Sequence, residues 1–375
     1  MSSQAAYDLV VVGAGVFGLW TAKRAVEAGM RVALIERDRA GGGASATPLG
    51  ALTAHSPDRW NPKKQFQLDA LIELETEVAR LEAETGLDVG YRRAGRVLPI
   101  RSEAFKAQIA ERSAGAARRW RGHVYEAVES PLDPGWMNPA AAPLGHVRDT
   151  LAARISADRY CAALRAWLAP RADLIEGVGF ARWENGALLD DGRRLVSAAL
   201  ALTAGVEAFG MMAALTGETV GRDAPGRTAL VRLPAVEGLE DRPLLYDGGL
   251  YVAPKGGDLV ALGGLDAFEG APSTVRAGEG EVFARLIDLC PALDGSPIAQ
   301  WWAGVRPKCL KRDPLIGRLP VSAPIWTAAG GFKIGLGIAH RAAAALVAEI
   351  GGSAGPDLPA TFRPEHHFQS APADV

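Results

Sequence analysis

The sequence predicts an α/β fold with a second, α+β domain, and three observations carry that expectation. A strand–glycine–helix–strand unit opens the chain at Asp8–Glu36. A second strand–glycine–helix element closes it, with an apolar run at Ile325–Ala328, glycines at 330, 331, 335 and 337, and a helical pattern over Ile338–Ile350. Between them, residues 226–266 hold short strand-like runs at Thr228–Leu233, Leu250–Ala253 and Leu259–Leu262, punctuated by Gly248-Gly249 and Gly256-Gly257. That is the pattern of a mixed, mostly antiparallel sheet.

The opening unit reads DLVVVGAGVFGLWTAKRAVEAGMRVALIE. Leu9–Val12 and Val32–Ile35 are apolar runs of the kind that form buried parallel strands. Gly13, Gly15 and Gly18 between them form GxGxxG. Gly13 permits the tight turn, Gly15 lets backbone approach a pyrophosphate, and Gly18 lets the helix pack closely on the strand. The helix then presents free N–H groups and a positive dipole end to phosphate. Glu36 ends the second strand at about the 20-residue interval where a carboxylate receives a ribose 2′-hydroxyl. Strand, helix and acid together indicate a dinucleotide site.

The remaining elements follow in order. Gly41-Gly42-Gly43-Ala44-Ser45 to Leu49-Gly50-Ala51-Leu52 is a small-residue loop on which a ligand can lie against backbone. Leu71, Leu74, Val78 and Leu81 recur at helical spacing within Pro62–Glu84, with Gly86 as the stop. Val89–Ile100 reads as two strands turning at Ala94-Gly95, and Glu103–Arg119 as a charged helix. Arg118, Arg119 and Arg121 read as a solvated face. The Pro- and Gly-rich stretch 130–145 marks a crossing between domains. Ser156 caps a helix through Trp167. Leu174–Val178 is a short strand, a meander spans 180–196, and Ala198–Thr203 is a strand ending at Ala204-Gly205. Glu281–Cys290 is a helix and Ile298–Val305 a strand that breaks at an Arg306-Pro307 corner.

The bulk numbers exclude several classes. Of 375 residues, 48% are hydrophobic and 22% charged, as in ordinary globular domains. A net charge of −2 argues against a nucleic-acid partner. Cys161, Cys290 and Cys309 lie far apart without a CxxC, so neither a disulfide framework nor a metal site is expected. The start, MSSQAAYDLV, lacks the basic and apolar regions of a signal peptide, and no apolar run is long enough to span a membrane. A cytoplasmic location is therefore expected.

Taken together, the fingerprint, the Gly41–Leu52 loop, the Ala204-Gly205 strand end and the tail resemble the D-amino-acid oxidase family of flavoenzymes, nearest its glycine oxidase and sarcosine oxidase branch. The tail runs Trp302-Ala303-Gly304-Val305-Arg306-Pro307, Asp313-Pro314-Leu315-Ile316-Gly317 and Ala328-Ala329-Gly330-Gly331-Phe332, and it carries the most specific part of the likeness. The resemblance implies a Rossmann-like FAD-binding domain from segments 1–88, 145–222 and 312–375, and a substrate domain from 89–144 and 223–311. It implies FAD, held non-covalently, although Cys309 lies near the position where some relatives attach flavin. Val16 and Phe17 would flank the pyrophosphate, and Glu36 and Arg37 would meet the ribose and adenine edge. Ala44, Ser45, Leu49, Gly50 and Ala51 would lie along the ribityl chain and isoalloxazine. Val178 would meet adenine. Gly205 joins the cofactor contacts, and Gly330, Gly331, Phe332, Lys333, Ile334, Gly335, Leu336 and Gly337 would bring a helix N-terminus to the pyrimidine ring.

The same resemblance implies hydride transfer to flavin N5 from the carbon beside an amine, with the imine then hydrolysed. The substrate would be a small amine bearing a carboxylate, such as glycine, sarcosine or a D-amino acid, and O2 or another acceptor would reoxidise the flavin. Arg306 matches the carboxylate-binding arginine, and its planar fork suits that task. Tyr251 matches a tyrosine over the flavin face. Lys333 stands where glycine oxidase has an arginine, and His55 follows the flavin loop. Ala261 stands where the sarcosine oxidases have an oxygen-activating lysine, which leaves oxidase and dehydrogenase both open. Two further alternatives are a flavoenzyme that demodifies a carboxymethylaminomethyl-uridine in tRNA and a flavin-binding protein without turnover. A homo-oligomer is also left open.

Overall fold

The strands Tyr7–Val12 and Val32–Glu36 are buried along Leu9–Val12 and Val32–Ile35, at 3% exposure or less throughout. Burial on both faces is the environment of a central parallel strand. In the computed structural model, which describes residues 7–233 and 236–369, they lie inside a six-stranded sheet. Its order is Leu315–Arg318, Ile325–Ala329, Ser197–Leu202, Tyr7–Val12, Val32–Glu36, Asp173–Glu176. All pairs are parallel except the edge pair Leu315–Arg318 with Ile325–Ala329. Chain start, middle and end thus meet in one sheet. The segment 1–6, part of the start read as lacking a signal peptide, lies outside the described residues.

The two faces are covered differently. Leu9, Val11 and Leu34 pack beneath the helices Val16–Glu27, Pro62–Thr85, Ala157–Leu168 and Gly335–Ile350. Val10, Val12, Ile35, Leu200 and Leu202 pack beneath Phe209 and Met212 of the helix Glu207–Thr216 and beneath a small three-stranded meander, Phe180–Trp183, Ala187–Leu189 and Arg194–Leu195. Asn61 opens the long helix Pro62–Thr85 by accepting from the Lys64 N–H, and Gly86 ends it at φ 69°.

The second sheet has eight strands: Ile298–Cys309, Gly221–Arg232, Leu259–Gly263, Leu250–Gly256, Leu244–Asp247, Arg96–Pro99, His146–Asp149 and Tyr125–Val128. It is antiparallel except where Leu244–Asp247 runs parallel to Arg96–Pro99. Val252, Val260 and Leu262 on one face pack with Phe283, Leu286 and Leu289 of the helix Glu281–Leu289. Among the described residues no helix is long and apolar enough to cross a membrane.

Four details differ from the sequence reading. Arg306 and Pro307 form no corner: they continue the strand Ile298–Cys309, opposite Ala224 and Asp223. The strand is a sheet edge, where a residue without N–H costs no ladder bond. Val89–Ile100 holds a single strand, Arg96–Pro99, plus an isolated bridge from Arg92 to Arg154. Gly90 and Gly95, both at positive φ, interrupt the rest. The strand Leu244–Asp247 has no alternating pattern and was not foreseen. His146–Asp149 and Gly221–Arg222, read as part of the dinucleotide segment 145–222, pair instead within the second sheet.

Candidate active site

A cavity of about 800 Å³ is walled by residues from both sheets, near the upper end of the usual range for ligand sites. One end is built from backbone. Gly13 sits at φ 95°, and a Cβ there would come within 2.4 Å of Ala204 Cα. A Cβ on Gly18 would lie 1.8 Å from the Gly13 carbonyl oxygen, so helix and turn touch directly. Thr203 Oγ1 donates to the carbonyls of Val12 and Gly13 at 2.9 and 2.8 Å. Gly15, at the head of the helix, has no side chain to cap it. The Ser45 hydroxyl, from the small-residue loop, accepts from Val16 N–H at 2.9 Å instead. Glu36 accepts from Ala14 N–H at 2.8 Å and Asp38 N–H at 3.0 Å, which fixes its carboxylate beside the turn. Val178, Phe180, Val206 and Met211 give this end an apolar wall, and Arg37 pairs with Glu207 at its rim.

The far end begins at the loop before the helix Gly335–Ile350. Ile334 heads that helix and provides no side-chain cap, so its positive end opens on the cavity through Gly335, Leu336 and Gly337. A Cβ on Gly331 would lie 2.5 Å from the Phe17 ring. Phe332 adopts φ 41°, a strained value for a bulky side chain. Its N–H donates to the Pro307 carbonyl at 3.2 Å. Glycine-built backbone, two helix heads, a carboxylate at the ribose position and the cavity volume together fit FAD. Glu36 and the adjacent N–H groups would hold the adenosine half, and the 331–337 turn the flavin half.

Most residues singled out from the sequence line this cavity: Gly13, Gly15, Val16, Phe17, Glu36, Arg37, Ala44, Ser45, Leu49, Ala51, His55, Val178, Gly205, Tyr251, Arg306 and Gly331 to Gly337. Gly18, Gly50 and Gly330 do not. Their missing side chains make room for protein: the Gly13 carbonyl, the Ile155 carbonyl and the Cys309 sulfur lie within 2.1 Å of where each Cβ would stand.

Around the substrate end, Arg306 Nη2 donates to Asp266 at 2.5 Å and to the Pro225 carbonyl at 2.8 Å. Its partner is therefore Asp266, on the strand-end turn. Tyr251 lies opposite Tyr246, with ring centroids 4.6 Å apart. Behind them Arg96 is buried and pairs with the fully buried Asp149 at 2.7 Å, its guanidinium 5.5 Å from the Tyr246 ring. Burial opposes the Arg96 charge, yet Asp149 holds its pKa above the ordinary value. The His55 ring meets Gln67 Oε1 through Nδ1, and Gln67 Nε2 donates to the Thr53 carbonyl at 3.0 Å. An amide oxygen only accepts, so Nδ1 carries the proton and Nε2 is bare. Burial holds the His55 pKa below its usual value, which Lys63 and Lys64 reinforce against the Gln67 bond. Ala261 packs in a small cluster with Leu49 and Ala51, behind the cavity wall. Sequence reasoning missed Arg96, Tyr246, Gln67, Thr203 and Asp266, which no motif marks.

Comparison with known proteins agrees with this geometry. Residues 8–349 match the family model described as FAD dependent oxidoreductase, DAO. A glycine oxidase of Geobacillus kaustophilus is 25% identical over 349 residues, covering 88% of this chain and 89% of the relative. A glycine oxidase of Pseudomonas aeruginosa is 26% identical over 385 residues, covering 95% and 98%. Among solved structures, glycine oxidase from Geobacillus kaustophilus superposes with a TM-score of 0.82 at 21% identity, covering 98% of this chain and all of that one. Iminodiacetate oxidase from Chelativorans sp. BNC1 gives 0.82 at 19% identity, covering 95% and 98%. The chain belongs to the DAO family of FAD-dependent oxidoreductases.

Proposed function

We propose that this protein oxidises the C–N bond of a small amine that carries a carboxylate, yielding an imine that water hydrolyses, with O2 as the electron acceptor and H2O2 as its product. The observation that carries this reading is Arg306, a guanidinium in the wall of the cavity beyond the flavin turn. FAD, when bound, supplies the two-electron acceptor at N5. The protein's part is orientation. Arg306 offers its charge and its two Nη1 hydrogens to the carboxylate, while Nη2 donates to Asp266 and the Pro225 carbonyl and Nε faces the Ala224 carbonyl, which fixes the direction of the guanidinium. Tyr246 and Tyr251 exclude water beside the reacting carbon. The bare His55 Nε2 is a neutral acceptor and repels no substrate cation. The relatives named glycine oxidase, and the structural neighbour named iminodiacetate oxidase, support the amine-with-carboxylate class. A second reading, a dehydrogenase passing electrons to another acceptor, is favoured by Ala261 and by a structural neighbour named L-proline dehydrogenase. The test is an anaerobic titration of the yellow protein with glycine, sarcosine and D-alanine. Bleaching of the flavin band identifies a substrate, and readmitted air gives peroxide from an oxidase. A flavin that no amine bleaches sinks the proposal.

A further inference from the structure

The cavity is charged unequally along its length. At the adenosine end its walls carry Glu36, Asp38, Asp190 and Glu207 against Arg37. At the substrate end they carry Arg227, Arg306 and Lys333 against Asp266. Lys308 adds a further charge just outside: it follows Arg306 by two residues on the same strand, so both side chains leave the same face. Arg222 lies directly across from it on the neighbouring strand.

Three of these cations share one platform. Arg306, Lys308 and Lys333 lie 5.3, 5.0 and 5.7 Å from the centroid of the Phe332 ring, so no two of them are more than about 11 Å apart. Phe332 holds that ring from a left-handed backbone position, φ 41°, where a bulky residue is strained. Strain of this kind persists where the surrounding structure fixes it, and it concentrates at ligand sites. Asp266 occupies part of Arg306. Among the described residues neither Lys308 nor Lys333 has a carboxylate within ion-pairing distance. One carboxylate on the substrate would engage Arg306 and leave both lysines uncompensated.

We infer that the substrate carries two carboxylates: the proposed amine oxidation takes place on an amino dicarboxylate, whose second carboxylate is received by Lys308 and Lys333 over the Phe332 ring. This inference rests on the amine-oxidation reading above. A second carboxylate a few bonds from the first fits within the span of the three cations. A cationic mouth on a chain of net charge −2 also steers an amino dicarboxylate, net −1 with its amine protonated, in preference to a net-neutral zwitterion, an effect that salt weakens.

The experiment compares compounds that differ by one charge: D-aspartate with D-asparagine, and iminodiacetate with its monoamide. The holoenzyme's kcat/KM is measured for each at low and high ionic strength. The expected result is a preference of about tenfold or more for the dicarboxylate of a pair, shrinking as salt rises. In Lys308→Gln that ratio should fall several-fold, and Lys308→Arg should restore it. If monocarboxylic amines reduce the flavin while every dicarboxylate is equal or worse, the inference is overturned and amine oxidation stands. If no amine reduces the flavin, both fall.

Discussion

The two ends of the cavity are made of different material. At the adenosine end the chain offers backbone: glycines pressed to van der Waals contact, a helix head, and one carboxylate tied to two N–H groups. Its fingerprint is contiguous in sequence, since Tyr7 to Glu36 form one βαβ unit, and Ser45, Thr203 and Ala204 close on it from elsewhere. At the substrate end the chain offers side chains: Arg306, Tyr251 and Tyr246 come from separate strands of the second sheet, Asp266 from the turn after Leu259–Gly263, and Lys333 from the turn before the helix Gly335–Ile350. A backbone site tolerates almost no added atoms and binds a ligand part common to a whole family. A side-chain site can be revised one residue at a time, so substrate choice lives there. The comparison predicts that damage at the first end removes cofactor and stability together, whereas damage at the second changes kinetics alone.

The largest effect is expected from Gly18→Ala. The new methyl carbon would stand 1.8 Å from the Gly13 carbonyl oxygen, so strand and helix must separate. Overpacking of that severity costs about 3 kcal/mol or more, and the displaced turn no longer meets a pyrophosphate. Purified protein should be colourless, with a melting temperature lowered by several degrees. A variant with a full flavin spectrum and unchanged Tm would break the distinction between the two ends.

Arg306→Ala comes next and acts on the other side of the comparison. Losing a charge-assisted hydrogen bond to a carboxylate is worth about 2–3 kcal/mol, so KM for a carboxylate substrate should rise on the order of a hundredfold. Flavin content should not change, because Arg306 contacts Asp266 and the Pro225 carbonyl at the substrate end. Arg306→Lys keeps the charge, loses the planar donor geometry and should recover part of the loss. An unchanged KM removes Arg306 from the site.

The same contrast explains what could be read from the sequence. The adenosine end was legible because its physics is local: a positive-φ glycine, a helix head and a strand-end acid have fixed spacing. The place of Arg306 in the cavity wall was expected only through family resemblance, and the expected corner at Pro307 proved to be a sheet edge. Asp266, Tyr246 and the buried pair Arg96–Asp149 were not legible, because their roles depend on strand register. Arg96 meets Asp149 only because His146–Asp149 pairs antiparallel with Arg96–Pro99, and no spacing in the sequence encodes that. The Leu244–Asp247 strand was missed for the same reason.

A third, smaller effect links acid stability to the helices that head the cofactor cavity. His340, on the helix Gly335–Ile350, is 1% exposed and packs edge-on against Trp20 of the helix Val16–Glu27, with ring centroids 5.7 Å apart. Neither ring nitrogen has a hydrogen-bond partner among the described residues. Burial, with Arg24 and Arg341 nearby, pushes its pKa down to about 3. The unfolded chain protonates this group near pH 6.5, well above the folded value. Its contribution to stability is therefore full above about pH 6.5 and is lost as pH falls toward 3, at about 1.4 kcal/mol per pH unit in between. Flavin retention and melting temperature, followed together from pH 7 to 4.5, should fall in step. His340→Leu should flatten that dependence; a slope that survives the substitution assigns it to other groups.

The smallest effect is expected at Cys309, packed behind Gly330 at the start of the flavin turn. Its sulfur fills the space that a Cβ on Gly330 would occupy, 2.1 Å from that position, and the residue is 1% exposed. Burial, with Asp313 nearby, pushes the thiol pKa up to about 12. A protonated, enclosed thiol is a poor nucleophile, so FAD should be held without a covalent link. Acid precipitation should leave the yellow colour in the supernatant, and colour retained on the pellet would refute this. Cys309→Ala should keep its flavin and lose only about 1 kcal/mol, the cost of a small cavity. If the variant loses flavin while remaining folded, the sulfur sets the Gly330 turn directly. In that case a side chain, and not backbone alone, shapes the cofactor end of the cavity.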